Sequence, residues 1–226
     1  MYELLLVSQS PRRRELLTKA GLLYRSDSVK VSEIIDENVN LTMAISKLAR
    51  TKAEAYLNSY KGSKTGPILV LSADTVVVLD GQVIGKPSSE ADACQILRRL
   101  SGRDHEVMTG ISLIALDEGL GSWPGSAVAA NRTGGGPGPK SNRHEYQGTE
   151  ISYVKFRDLT DLEIGNYVAT GEPMDKAGAY GIQGLGAKLV ESYRGSWSNI
   201  VGLPMERLEK VLKDHNWQVA RVEALN

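Results

Sequence analysis

At 226 residues, 41% hydrophobic and 24% charged, the chain has the composition of a globular protein with one sizeable domain or two small lobes sharing a core. Basic and acidic residues number 27 each, which argues against a chain-wide basic surface for nucleic acid and leaves room for a local basic pocket. A single cysteine, Cys94, excludes an internal disulfide, and no apolar run approaches the ~20 residues that cross a bilayer. Residues 1–7 lack a basic start and run straight into polar residues, so no signal peptide is expected.

Glu3–Val7 is short and apolar and reads as a buried strand. Ser8-Gln9-Ser10 follows, with Ser10 suited to cap a helix, Pro11 to its first turn and Gly21 to its exit near residue 20. This strand–turn–helix unit opens an α/β protein. A second helix is expected over residues 41–60, with Ile45, Leu48, Ala49 and Tyr56 as its apolar stripe and Lys52 on that same stripe. Ile68–Leu79 is a long strand run interrupted by Asp74; Asp80-Gly81 signals a tight turn and Gln82–Ile84 the returning strand. Glu90–Leu100 reads as a helix with Ala93, Ile96, Leu97 and Leu100 inward, Cys94 in the core and Gly102 at its end. A strand over residues 105–116 follows.

Residues 118–147 differ: they hold Gly134-Gly135-Gly136-Pro137-Gly138-Pro139 and few large apolar side chains. They read as a flexible insertion within a single domain spanning residues 1–226. Regular structure is expected to resume with a strand at residues 149–157. Thr160-Asp161-Leu162-Glu163 is a capping box that opens a helix. Residues 171–186 are polar and glycine-rich. A strand at 187–192 and a helix at 204–215 close the pattern.

Four places could carry chemistry. Ser8 to Arg14 puts three arginines at a helix start, where N–H groups and the dipole favour an anion and guanidinium forks suit phosphate; the plain alternative is a solvated basic face, with Arg14 its first member. Asp74 sits inside an apolar strand, where a carboxylate must be paired, bind metal or border a cleft; the alternative is a satisfied strand-end carboxylate. Lys52 on a buried stripe and Lys86 before Pro87 are possible cationic groups, although a snorkelling lysine is the commoner explanation. In the stretch from Glu172 to Gly184, glycines permit close backbone approach and the Gln183 amide can read a base edge; a turn-rich connection explains it equally well.

Taken in order, these stretches resemble the Maf family of nucleotide pyrophosphatases. Ser8-Gln9-Ser10-Pro11-Arg12-Arg13 with Glu15-Leu16-Leu17 is similar to the family's opening signature. Ala73-Asp74-Thr75, Gly85-Lys86-Pro87, Leu100-Ser101-Gly102, the stretch Asp175-Lys176-Ala177-Gly178-Ala179-Tyr180-Gly181-Ile182-Gln183-Gly184, and Gly202-Leu203-Pro204 are similar to its others. The resemblance covers nearly the whole chain outside the insertion. It implies a mixed, twisted α/β sheet flanked by helices, with two lobes and a central cleft, of the inosine triphosphatase-like kind.

The resemblance further implies hydrolysis between the α- and β-phosphates of a nucleoside triphosphate, with a divalent metal, Mg²⁺ or Mn²⁺, as cofactor. It implies a cytoplasmic homodimer with neither nucleic acid nor membrane as partner. Asp74 falls at the family's catalytic acidic position. Arg12, Thr75 and Gln183 fall where the dTTP- and UTP-specific subfamily carries its specificity residues, and Lys52 and Lys86 at its basic positions. Glu37 is the match to a second acidic, metal-binding position, with Glu33 the alternative. The expected mechanism is attack of water on the α-phosphorus, with Asp74 and Glu37 holding the metal, Arg12, Arg13, Lys52 and Lys86 neutralising the phosphates, and Ser8 and Ser10 holding phosphate oxygens. Thr75 and Gln183 would select a pyrimidine. Two other classes compete: a nucleotidyltransferase, which needs an acceptor, and a regulatory module that binds nucleotide without turnover. A nucleic-acid binder is the weakest, given zero net charge and one phenylalanine.

Overall fold

The computed structural model describes residues 1–32, 39–60, 66–117 and 143–222. The chain divides into two compact units: Met1–Asp74, Gly110–Thr149 and Met205–Asn226 form the first, and Thr75–Thr109 with Glu150–Pro204 the second. In chain order the elements are β1 (Glu3–Val7), α1 (Pro11–Lys19), β2 (Tyr24–Asp27), α2 (Leu41–Ser59), β3 (Ile68–Leu79), β4 (Gln82–Ile84), α3 (Glu90–Leu100), β5 (Asp104–Leu116), β6 (Arg143–Phe156), α4 (Asp161–Val168), β7 (Val190–Arg194), α5 (Trp197–Val201) and α6 (Met205–Asp214). Among the described residues the strands form a mixed seven-stranded sheet in the order β2-β1-β3-β5-β6-β7, with β4 pairing β3 off this path.

In the first unit, β1 lies between β2 and the start of β3 and is parallel to both, with Val7 opposite Asp27 on one side and Ser72 on the other. The chain therefore steps from β1 to β2 and then back across β1 to reach β3. That reversal makes a switch point between β1 and β3, and in open α/β sheets ligands bind beyond the carboxyl ends of strands at such a point. Leu5, Val7, Ile68, Val70, Ile114 and Leu116 pack with Ala53, Tyr56 and Leu57 of α2. The helix lies very close to β5: a Cβ at Gly110 would come within 2.5 Å of the Ile45 carbonyl oxygen. A glycine at 110 is what lets the α2 backbone lie this close to β5.

The second unit is built on the rest of β3, β5 and β6 with β4, α3, α4, β7 and α5. Its core includes Val77, Ile96, Leu97, Leu100, Phe156, Ile164 and Tyr180. Asp80 and Gly81 both take positive φ, 52° and 76°, as the tight β3–β4 turn requires. The capping box forms in full, with the Thr160 hydroxyl and Glu163 carboxylate each bonding the other's backbone N–H. Cys94 is half-buried and packs against this core.

Three expectations need correction. Strand β6 begins at Arg143, so residues 143–147 belong to the sheet and not to the insertion; the remaining insertion residues, 118–142, lie outside the described residues. Arg143 anchors the start of the strand by pairing with Glu54 and Glu145, while Arg50 reaches Glu145 at 3.1 Å. Residues 184–189 coil into a 3₁₀ turn, so the next strand starts only at Val190. Finally, Ser10 stands at the helix cap but its side chain makes no capping bond.

Candidate active site

The first unit assembles one group of candidate residues beyond the carboxyl end of β1 and, on β3, around Ser72, where its pairing with β1 ends. Ser72 and Asp74 are two apart on β3 and so share a face, while Ala49 and Lys52 are three apart on α2. The two pairs meet: the Ser72 hydroxyl donates to the Ala49 carbonyl at 2.5 Å, and the Lys52 ammonium contacts Asp74 Oδ1 at 2.5 Å. Both side chains of this ion pair are 13% exposed. Partial burial makes the lysine the charge balance that the carboxylate needs inside an apolar strand. A snorkelling Lys52 is thereby corrected: its ammonium turns inward to Asp74.

Beyond β1, the Ser8 hydroxyl accepts from the Ser10 backbone N–H and from Arg13 Nη1, both at 3.1 Å. It thus closes the turn before α1, whose N-cap Ser10 makes no side-chain capping bond. A hydroxyl has two lone pairs and one proton. With those two acceptances made, the Ser8 proton is the part left to donate, and a phosphate oxygen is the natural acceptor at a helix start. Arg12 and Arg13 are half-buried in this turn, whereas Arg14 is exposed. Glu33 and Glu37 both lie outside the described residues.

The second unit carries Thr75, Lys86 and Gln183. Thr75, covalently next to Asp74, is half-buried; its hydroxyl lies 2.9 Å from that of Thr109 and 3.4 Å from the Gly202 carbonyl. Lys86 is exposed. Its neighbour Gly85 accepts from the Gly178 N–H at 3.0 Å, and a Cβ at Gly178 would come within 2.8 Å of Val77, which seats the glycine-rich stretch directly on β3. Gly178 has φ 69°, open to glycine at little strain. Among the described residues, no hydrogen bond or ion pair joins Lys86 or Gln183 to another candidate residue.

Residues that the sequence did not single out hold this second group. The Glu172 carboxylate accepts from the Tyr167 hydroxyl at 2.9 Å and from the Leu185 and Gly186 N–H groups, both at 3.1 Å; Tyr167 in turn accepts from the Gly181 N–H at 3.3 Å. The two side chains therefore clamp the backbone on either side of Gln183. Under the same stretch, Tyr180 and His105 are both buried, with His105 Nε2 2.8 Å from the Tyr180 hydroxyl. Burial pushes the His105 imidazole down to about 4 and the Tyr180 phenol upward. In the sequence, Glu172 and Tyr180 stand within the glycine-rich stretch, whereas His105 gives no such signal.

Comparison with known proteins adds a consistent set of likenesses. The family described as Maf-like protein matches residues 3–215. A dTTP/UTP pyrophosphatase of Bdellovibrio bacteriovorus is 42% identical over 209 residues, covering 92% of this chain and 96% of the relative. Proteins of the same description from Desulfitobacterium hafniense and Symbiobacterium thermophilum are 41% and 39% identical, covering 92% and 97% of this chain and 83% and 97% of their own lengths. Among solved structures, a HAM1 protein from Coxiella burnetii has a TM-score of 0.43 at 15% identity, covering 95% of this chain and 100% of that one.

Proposed function

The chain belongs to the Maf-like protein family, and from that premise we propose that it hydrolyses dTTP and UTP, or modified nucleotides of the same base chemistry, to the monophosphate and pyrophosphate. The observation that carries the reading is the buried Lys52–Asp74 pair midway along β3, just past Ser72, the last β3 residue paired with β1, and beside the Ser8–Arg13 turn at the carboxyl end of β1. One group offers a carboxylate and the other offers phosphate-binding donors, at a switch point where such sheets bind ligands.

In this reading Lys52 holds Asp74 Oδ1, and Asp74 orients the attacking water and takes its proton. The Ser8 hydroxyl donates to a phosphate oxygen. Arg12 and Arg13, with the N–H groups opening α1, offset the charge of the triphosphate, and Lys86 offsets that of the leaving pyrophosphate. Thr75 and Gln183 read the base.

A divalent cation, Mg²⁺ or Mn²⁺, fits the donor chemistry. Asp74 offers a hard carboxylate oxygen, and Mg²⁺ is commonly held by one or two carboxylates together with substrate phosphates and water. Among the described residues there is no group of three or more histidines, cysteines or acids that could cage it; Glu37, or Glu33, would be the second protein ligand. When bound, the cation would withdraw charge from the phosphates and acidify water. The same reading takes the working protein as a cytoplasmic homodimer acting on free nucleotide, not on nucleic acid. No helix among the described residues is long and apolar enough to cross a membrane.

The test is a panel of UTP, dTTP, CTP and ATP with Mg²⁺, in which pyrophosphate and orthophosphate are measured separately. Pyrophosphate from UTP and dTTP, without any acceptor added, is the expected product. Binding without turnover, or turnover only with an acceptor, would replace the hydrolase reading.

A further inference from the structure

Thr75 belongs to a chain of buried hydrogen bonds that reaches well beyond the residues assigned to the substrate. Thr109 is fully buried on β5, and its hydroxyl donates to the main-chain carbonyl of Asn199 at 3.1 Å. That carbonyl is held in place. The fully buried Asn199 side chain donates to the Val107 carbonyl and to Ser152 Oγ, both at 3.0 Å, and the Asn199 N–H donates to Ser196 Oγ at 3.1 Å. Ser152 in turn donates to the Ser196 carbonyl at 3.0 Å.

A hydroxyl has one proton to give. Thr109 gives its own to Asn199, so across the 2.9 Å contact Thr75 is the donor and Thr109 the acceptor. The other acceptor near Thr75 is the Gly202 carbonyl at 3.4 Å, which is also protein. At that length it is much the weaker acceptor, so the Thr109 contact sets the direction of the Thr75 proton.

We propose that Thr109, backed by the Asn199 carbonyl, fixes the polarity of the Thr75 hydroxyl so that Thr75 meets the substrate base only as an acceptor. This rests on the reading of the protein as a dTTP- and UTP-cleaving pyrophosphatase. Uracil and thymine present an N3–H donor, which such an acceptor satisfies. Cytosine presents a lone pair at N3, which would face another lone pair and lose its partner on leaving water. Gln183 alone cannot enforce this choice, because an amide can turn over and match either edge. A hydroxyl whose proton is tied into a buried network cannot. Thr109 is thus a positioning residue that acts through Thr75.

The test compares kcat/KM for UTP and CTP, by pyrophosphate release, in the wild type and in Thr109→Val, Thr109→Ala and Thr109→Ser. Valine keeps the volume and removes the acceptor; alanine removes it without adding bulk; serine keeps it. The UTP-to-CTP ratio is expected to fall about tenfold or more in Thr109→Val and Thr109→Ala, and to stay within about twofold of wild type in Thr109→Ser. A purely structural role would lower both nucleotides together, and an unchanged ratio in the valine and alanine variants overturns the inference. Should the wild type release no pyrophosphate from UTP, the underlying pyrophosphatase reading fails instead, so the two failures are distinct.

Discussion

Asp74→Asn is expected to lower kcat for pyrophosphate release from UTP with Mg²⁺ by about 10²- to 10⁴-fold, the range typical of losing a positioned acid–base group. Asparagine keeps the shape and can still accept from Lys52 at Oδ1, so the fold should survive. It cannot take a proton from water, and it is a poorer ligand for a hard cation. KM should move far less than kcat, because the arginines and Ser8 proposed to hold the phosphates are untouched. The same change leaves Lys52, only 13% exposed, beside a neutral partner. A loss of stability is therefore expected alongside the kinetic effect, and melting should be recorded with the kinetics. Near-normal kcat would remove Asp74 from the mechanism.

The second large effect is on stability and depends on pH. His105 is 2% exposed, and its ring makes edge contacts with Phe156 at 5.0 Å and Tyr180 at 5.3 Å. Desolvation holds its folded pKa at about 4 against 6.5 for the free group. The unfolded chain therefore binds a proton here between pH 6.5 and 4 that the folded chain does not. Stability from this group is full above pH 6.5 and is lost as pH falls through that window, by roughly 3 kcal/mol in all. Acidic groups add their own slope at low pH, so the comparison must be made with a His105→Gln variant. Denaturant unfolding between pH 4 and 8 should show a steeper acid loss in the wild type. Parallel curves for the two proteins would mean that His105 titrates normally in the fold.

Much of the architecture was legible where one physical signal dominated. Glu3–Val7 and Ile68–Leu79 are apolar runs bounded by turn residues, and the Ile45, Leu48, Ala49 and Tyr56 stripe marks one face of α2. Strand β2 was not singled out, because three of its four residues are exposed and it has no apolar face to read. The five-residue α5 is too short to show a period. The start of β6 reads in the sequence as insertion because its early residues are largely solvent-facing and its anchors, Glu54 and Arg207, are distant in sequence.

The candidate site divides in the same way. Asp74 announced itself as a carboxylate among valines, and Lys52 as a cation on an apolar stripe. Their pairing needed the fold, which brings together residues 22 apart in sequence. Thr109 and Asn199 gave no usable signal, since a hydroxyl within β5 and an asparagine in a short helix acquire meaning only through a bond spanning 90 residues. The switch point between β1 and β3 was likewise hidden until the strand order was known, because the local strand–turn–helix unit says nothing of which neighbour lies on which side.

In the proposed reaction, water attacks the α-phosphorus of a pyrimidine nucleoside triphosphate. Hydrolysis of UTP in ¹⁸O-labelled water, with both products analysed by mass spectrometry, tests it most directly. Label in UMP, with unlabelled pyrophosphate, is the predicted result. Label in the pyrophosphate would place the attack on the β-phosphorus and rule out α-phosphorus cleavage.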